Sequence, residues 1–181
     1  MNRTIATYAA PANQRGAILV TSLLLLLVLT VLGIAMMKMT NMQERMAGNT
    51  RDLNLALQGS EAGLRQGETM LRDLITLPIA TAAAGCIYCQ RGALPIDIAD
   101  PAANFDWTAN AQEFGDVGTP DIRQLQEDPR FTVEELAYVR DGLDIGTEPP
   151  TGRDFYQITA HSTGASGQTN TVLQSTFARR F

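Results

Sequence analysis

The sequence is poor in the side chains that most catalysis and metal binding need. Among its 181 residues there is one histidine, His161, and there are two cysteines, Cys86 and Cys89. A structural zinc site takes about four ligands, more than these three supply. No serine or cysteine nucleophile motif accompanies His161, so it reads as a surface or partly packed strand residue and not as a catalytic base. Basic stripes with interleaved aromatics are also missing. Residues 1–75 carry seven basic and five acidic side chains, and residues 76–181 carry seven basic and fourteen acidic. An acidic domain of this kind repels a phosphate backbone, which disfavours nucleic acid as a partner. There is no internal repeat, no heptad sustained enough for an autonomous coiled coil, and no proline between Pro11 and Pro78. No cofactor motif is present, and no enzymatic activity is expected.

The most telling absence is of charge. From Ala17 to Met37 no residue is charged, and at about 1.5 Å per residue that helix covers roughly 30 Å, the thickness of a bilayer core. Arg3 and Arg15 precede the run without an acidic residue, whereas Lys38, Glu44 and Arg45 follow it. This places the leader on the cytoplasmic side and the remainder in the periplasm or outside the cell. A secretory signal has a shorter apolar core and a small-residue cleavage site, which Met36-Met37-Lys38 does not offer. The junction Gln14-Arg15-Gly16 before the run is the alternative place for a cut.

Beyond Met37 the chain is rich in helix formers, with apolar residues at Met39, Met42, Met46, Leu53, Leu57, Leu64, Leu71 and Leu74. The pattern predicts a helix continuing to about residue 75, roughly 85 Å long if unbroken. Gly59, Gly63 and Gly67 recur at four-residue steps on one side, and each costs about 1 kcal/mol relative to alanine. They suit close approach of a sheet or a second helix, or else mark a locally bent segment, whereas Gly33 and Gly48 read as points of bending. After Pro78 the composition shifts to small, turn-forming and acidic residues, a long connection with at most a short helical turn. Phe131 to Arg140 reads as a strand or a short helix. Asp154 to Ser162 alternates as a strand, turns at Gly164 to Gly167, and returns through Thr169 to Ala178. With a short strand between 113 and 126 these form a small antiparallel sheet packed on the outer half of the helix.

Cys86-Ile87-Tyr88-Cys89 has the spacing of a redox pair but lies outside any βαβ context. In an oxidising compartment it reads as a disulfide closing a small loop, with free thiols as the alternative. Two acidic groups, Asp97, Asp100 and Asp106, then Asp141, Asp144, Glu148 and Asp154, lack EF-hand spacing. They read as solvated surface charge and not as calcium sites. Gly146 to Gly152 is a turn-rich loop suited to contact and not to phosphate binding.

Gln43-Glu44-Arg45-Met46-Ala47-Gly48-Asn49, with RGAILVTSLLLLLVLTVLG before it and LALQGSEAGLRQGE after it, resembles the N-terminal region of PilX-type minor pilins of type IV pili. The ending DFYQITAHSTGASGQTNTVLQSTFARRF is similar to the terminal hairpin of that family. The resemblance implies an α+β pilin-like fold: a leader over 1–16, a long helix over 17–75 with its membrane segment at 17–37, and a periplasmic head over 76–181 with a hairpin at 154–178. It implies cleavage by a prepilin peptidase after Gly16, with Ala17 the methylated N-terminus. It further implies inner-membrane anchorage followed by incorporation into the extracellular pilus. The expected partners are other minor pilins, the major pilin and a PilY1-type tip adhesin, in support of twitching motility and adhesion. Pilins usually carry glutamate where this chain has Thr21, and its absence implies a subunit at the tip, or else a threonine simply tolerated in a low-copy subunit. The alternatives are a minor pseudopilin of a type II secretion system, whose large inserted domain finds no room here, and a single-span membrane enzyme or receptor.

Overall fold

The computed structural model describes residues 15–83, 85–95, 98, 105–115, 122–142 and 151–180. The leader up to residue 14, together with Asp97, Asp100, Asp144, Glu148 and most of the 146–152 loop, lies outside them. The chain divides into two compact units, Met1–Gly48 and Asn49–Phe181. Both draw on one helix, α1 (Arg15–Asp73). Leu, Met, Ala, Gln, Glu and Arg sustain it, and no proline interrupts it. At its end, Arg72 lies in the last turn, and the Arg179 guanidinium donates to the carbonyls of Leu71 and Leu74. Those carbonyls would otherwise lack partners in the last turn.

The second unit is an α+β arrangement, with the outer part of α1 packed on a mixed five-stranded sheet. The strands are β1 (Tyr88–Cys89), β2 (Gln112–Glu113), β3 (Arg130–Arg140), β4 (Gly152–Thr163) and β5 (Asn170–Arg179), with a short helix α2 (Trp107–Asn110) between β1 and β2. The order is β1-β3-β4-β5, and β2 joins the same edge of β3 as β1. β3, β4 and β5 pair antiparallel; β1 pairs parallel to β3, with Tyr88 opposite Val133. Phe131 to Arg140, open between helix and strand from its residues, is thus a strand. A bulge at Leu136 shifts the β3–β4 register between Glu135 and Ala137. Of the stretch 113–126, where a short strand was expected, only Glu113 belongs to a strand among the described residues, as the end of β2, and the parallel β1 was not anticipated.

Two-residue periodicity puts Tyr156, Ile158, Ala160 and Ser162 of β4 toward α1. Leu71, Phe131, Val133, Tyr156, Ile158 and Ala160 form the core, with Leu64, Met70, Leu74, Tyr88 and Phe177 packed around it. The three glycines are where helix meets sheet. A Cβ on Gly63 would lie 3.2 Å from Ala160 Cβ, and one on Gly67 would lie 2.8 Å from Ile158 Cγ2. At Gly59 it would press on Ser162 and stand 2.8 Å from Leu125 Cδ1. Four helical residues rise about 6 Å and two strand residues about 6.6 Å, so Gly59, Gly63 and Gly67 step along Ser162, Ala160 and Ile158 in near register.

On the opposite sheet face, the segment leading to β2 lies over His161. Trp107 stacks on His161 with centroids 4.8 Å apart and planes 12° apart, and Phe105 meets Trp107 edge-on. Asp106 caps α2 by accepting from the Thr108 and Ala109 amides. Arg130, beside His161 in the register, pairs with Glu113 at 3.1 Å. One expectation is corrected here: Asp154 is not solvated surface charge. It is 7% exposed, on the same side of β4 as Tyr156, because strand parity carries it inward, and burial pushes its carboxyl upward.

Candidate functional site

In the first unit the described residues form the inner part of α1. Its apolar side chains have no protein covering them: from Ile18 to Met37 the large ones are 47–70% exposed. Burying each of the Leu, Ile and Val side chains is worth about 1.5–3 kcal/mol, so the run demands an apolar surround. The segment is long and apolar enough to cross a membrane. Its hydroxyls do not oppose this. Thr21 Oγ1 donates to Ala17 O at 3.1 Å and Ile18 O at 3.0 Å, Ser22 to Leu19 O at 2.9 Å, and Thr30 to Leu27 O at 2.8 Å. Each polar atom is satisfied within its own helix, which is what an anhydrous medium requires.

Gly16 and Ala17 lie in the first turn of α1, and both are exposed. Thr21 is one turn further on, exposed, with its hydroxyl turned back on the backbone. Gln43 to Asn49 continue the same helix with every residue exposed. Helical spacing alone relates these positions; the fold does not gather them into a pocket. What they offer is a continuous apolar and then mixed helical surface, which supports packing and not bond chemistry.

In the second unit, Cys86 and Cys89 are joined in a disulfide. The Cys89 side chain is fully buried. The clip shapes the segment that supplies β1: Thr81 N–H donates to Tyr88 O at 3.0 Å, and Gln90 N–H to Thr81 O at 2.8 Å. Glu134 on β3 accepts from Gly92 N–H at 2.7 Å. A cysteine pair in a disulfide ligates no metal, and among the described residues no three His, Cys, Asp or Glu side chains are grouped to hold one. His161 is half-buried under Trp107, and burial pushes its imidazole below the ordinary value. Asp141 pairs with Arg180 at 2.6 Å.

One contact escaped sequence reasoning. Asp52, on the exposed shoulder of α1, reaches the β4–β5 turn: Ser166 N–H donates to it at 3.0 Å, Ser166 Oγ at 2.6 Å and Thr169 Oγ1 at 2.6 Å. The Ser166 hydroxyl, then Thr169 and the turn amides, hold its pKa down to about 2. Gly164 admits the carboxylate, since a Cβ there would lie 2.6 Å from it, and Gly167 takes a positive φ of 69° to close the turn. Ser60 Oγ donates to Thr171 O at 2.8 Å, and Ser175 Oγ to Glu68 at 3.2 Å. The terminal hairpin is therefore fastened to α1 along its length by polar contacts as well as by core packing. The available signal was the Ser/Thr/Gly composition of the turn, but nothing in it names Asp52.

A family model described as PilX N-terminal matches residues 15–65, and one described as Type IV pilus assembly protein PilX C-term matches residues 74–179. No curated protein and no solved structure matches the chain.

Proposed function

Because the chain belongs to the PilX family of type IV pilus assembly proteins, we propose that this minor pilin primes the filament from its tip. It acts as a structural subunit. The observation that carries the reading is the exposed apolar helix with internally bonded hydroxyls, a surface that a bilayer and a bundle of like helices satisfy equally. In this reading residues 1–16 are a leader, prepilin peptidase cuts after Gly16, and Ala17 becomes the methylated N-terminus. Residues 17–37 hold the precursor in the inner membrane with the periplasmic head over residues 76–181. The helix later moves into the pilus core beside the major pilin and the other minor pilins. The exposed run Gln43 to Asn49 then faces neighbouring helices.

Thr21 supports the tip position. In pilins generally the glutamate at this place meets the N-terminal amine of the next subunit toward the tip, and an unpaired carboxylate in an apolar core costs several kcal/mol. A terminal subunit has no such neighbour. Thr21 closes its hydroxyl on its own helix and needs none. The subunit would there meet a PilY1-type adhesin and support twitching motility and adhesion.

The test is the N-terminal residue of the protein from cells with and without prepilin peptidase. A methylated Ala17 start that depends on the peptidase is expected, and an intact Met1 in both samples refutes processing. Thr21→Glu should then reduce the number of surface pili, whereas unchanged piliation refutes the tip position.

A further inference from the structure

The flank of α1 beside the end of β2 carries a groove that none of the contacts above uses. Ala62, Gln66, Thr69 and Asp73 follow one another along it at three- and four-residue steps, with Arg65 and Met70 beside them, and Phe114 lines it from the other side. Its volume is about 490 Å³. Phe114 comes directly after β2 and is held by its N–H, which donates to Pro129 O at 2.7 Å. Ala62, Met70 and Phe114 make the lining largely apolar, and the Thr69 hydroxyl is already occupied, donating to Arg65 O at 2.8 Å.

Gln66 does not belong in such a lining. Its amide oxygen Oε1 and nitrogen Nε2 are both buried, and among the described residues neither has a hydrogen-bond partner. Folded proteins rarely leave a buried amide so, because it has given up water with nothing in return. What completes it is a group that offers one acceptor and one donor, and a peptide unit does. A helix cannot supply that unit, since its own ladder uses those atoms. A sugar would leave hydroxyls unpaired against Ala62, Met70 and Phe114. An extended main chain suits both the amide and the apolar walls. The ends of the groove add charge: Arg65 and Asp73, both exposed, are about 12 Å apart along α1, close to the span of four extended residues. Arg65 is only loosely engaged, with Glu61 at 3.8 Å.

We infer that this groove binds an extended peptide segment of a partner protein. A peptide unit pairs with the Gln66 amide, an apolar side chain lies between Met70 and Phe114, an acidic group meets Arg65 and a basic group meets Asp73. Met70, unbranched and only partly buried, is the wall that yields to let a main chain reach the amide. The inference goes beyond the pilus reading and does not depend on it.

The test is a titration of the full chain in detergent with two blocked tetrapeptides, acetyl-Glu-Leu-Ala-Lys-amide and its reverse, acetyl-Lys-Ala-Leu-Glu-amide, followed at the side-chain amide resonance of Gln66. One of the two should shift that resonance saturably. Gln66→Met keeps the length of the side chain and removes the amide, so it should weaken that peptide about tenfold or more. The variant leaves no polar atom unpaired there, and Trp107 emission should show it folded with a urea midpoint at or above that of the parent. Arg65→Glu combined with Asp73→Arg, at two exposed positions, should weaken the same peptide. No saturable shift with either peptide, or equal affinity for Gln66→Met, overturns the proposal. So does a shift produced by N-acetylglucosamine in place of the peptides, which marks a sugar site. A Gln66 resonance that moves on dilution without peptide marks a second copy as the occupant, and nuclear Overhauser contacts from residues 116–121 to Gln66 in the free chain mark a groove filled by its own chain; either result also overturns it.

Discussion

Alanine at the α1 glycines should change stability in opposite directions at positions that look alike along the helix. Each substitution gains about 1 kcal/mol of helix propensity, so the neighbours decide the sign. At Gly48 nothing lies within 4 Å of the new Cβ, and nearly the whole gain should appear wherever that turn melts with the rest. At Gly63 the new methyl meets Ala160 Cβ at 3.2 Å and Pro129 Cβ at 3.5 Å, a tight contact relieved by a few tenths of an ångström, and the net change should be near zero. At Gly67 it meets Ile158 Cγ2 at 2.8 Å and Phe131 Cδ2 at 3.1 Å. Both residues are fully buried, and Ile158 sits on a strand held on both sides by β3 and β5. Overpacking of this kind costs about 1–3 kcal/mol, leaving Gly67→Ala less stable by about 1 kcal/mol. Trp107, the only tryptophan, reports unfolding through its stack on His161, so urea titration of the full chain in detergent measures the series. A Gly67→Ala protein as stable as Gly63→Ala would refute the close packing of α1 on β4.

Hydrogen bonds from Ser166 and Thr169 hold the Asp52 carboxyl down to about 2, against 3.8 in the unfolded chain, so its contribution is present above pH 3.8 and lost as pH falls through about 2. Asp52→Asn should remove that dependence and speed amide exchange at Ser166 and Thr169 at neutral pH. His161 is shifted down by burial, so the unfolded chain binds the extra proton first and stability should fall as pH drops below 6.5. His161→Gln should flatten that slope in urea titrations at pH 5 and 7. Replacing Cys86 and Cys89 with serine opens a four-residue loop, which loop entropy values at about 2 kcal/mol. The measurement is the loss in urea midpoint relative to the oxidised protein, and an unchanged midpoint would show that the bond does not hold β1 in place.

The long helix and the hairpin were legible because their signals are local. Between Ala17 and Leu77 there is no proline to stop a helix, and β4 and β5 alternate on either side of a glycine-bearing turn. The four-residue glycine spacing identified a side of α1 but not its partner, since a sheet and a second helix tolerate the same gap. β1 left no trace of this sort. Two residues long, it exists because the disulfide and the Thr81 backbone bonds hold Tyr88 against β3. Asp154 was grouped with nearby loop acids, although the alternation that faces Tyr156 and Ile158 inward carries it inward as well. Of the candidate site, the apolar run was evident from composition. The Asp52 contacts were not, because they join residues more than a hundred positions apart.

The matched stepping of α1 along β4 and β5 also has a mechanical side. A pull along the Asn49–Asp73 part of α1 acts parallel to the strands, so it loads the Ser60, Gly63, Gly67 and Leu71 contacts and the Asp52 and Arg179 ties side by side. Sliding the helix requires them to give way together, whereas peeling would take them one at a time. The contacts between this part of α1 and the sheet are thus arranged in shear, the direction in which tension along Asn49–Asp73 would strain them.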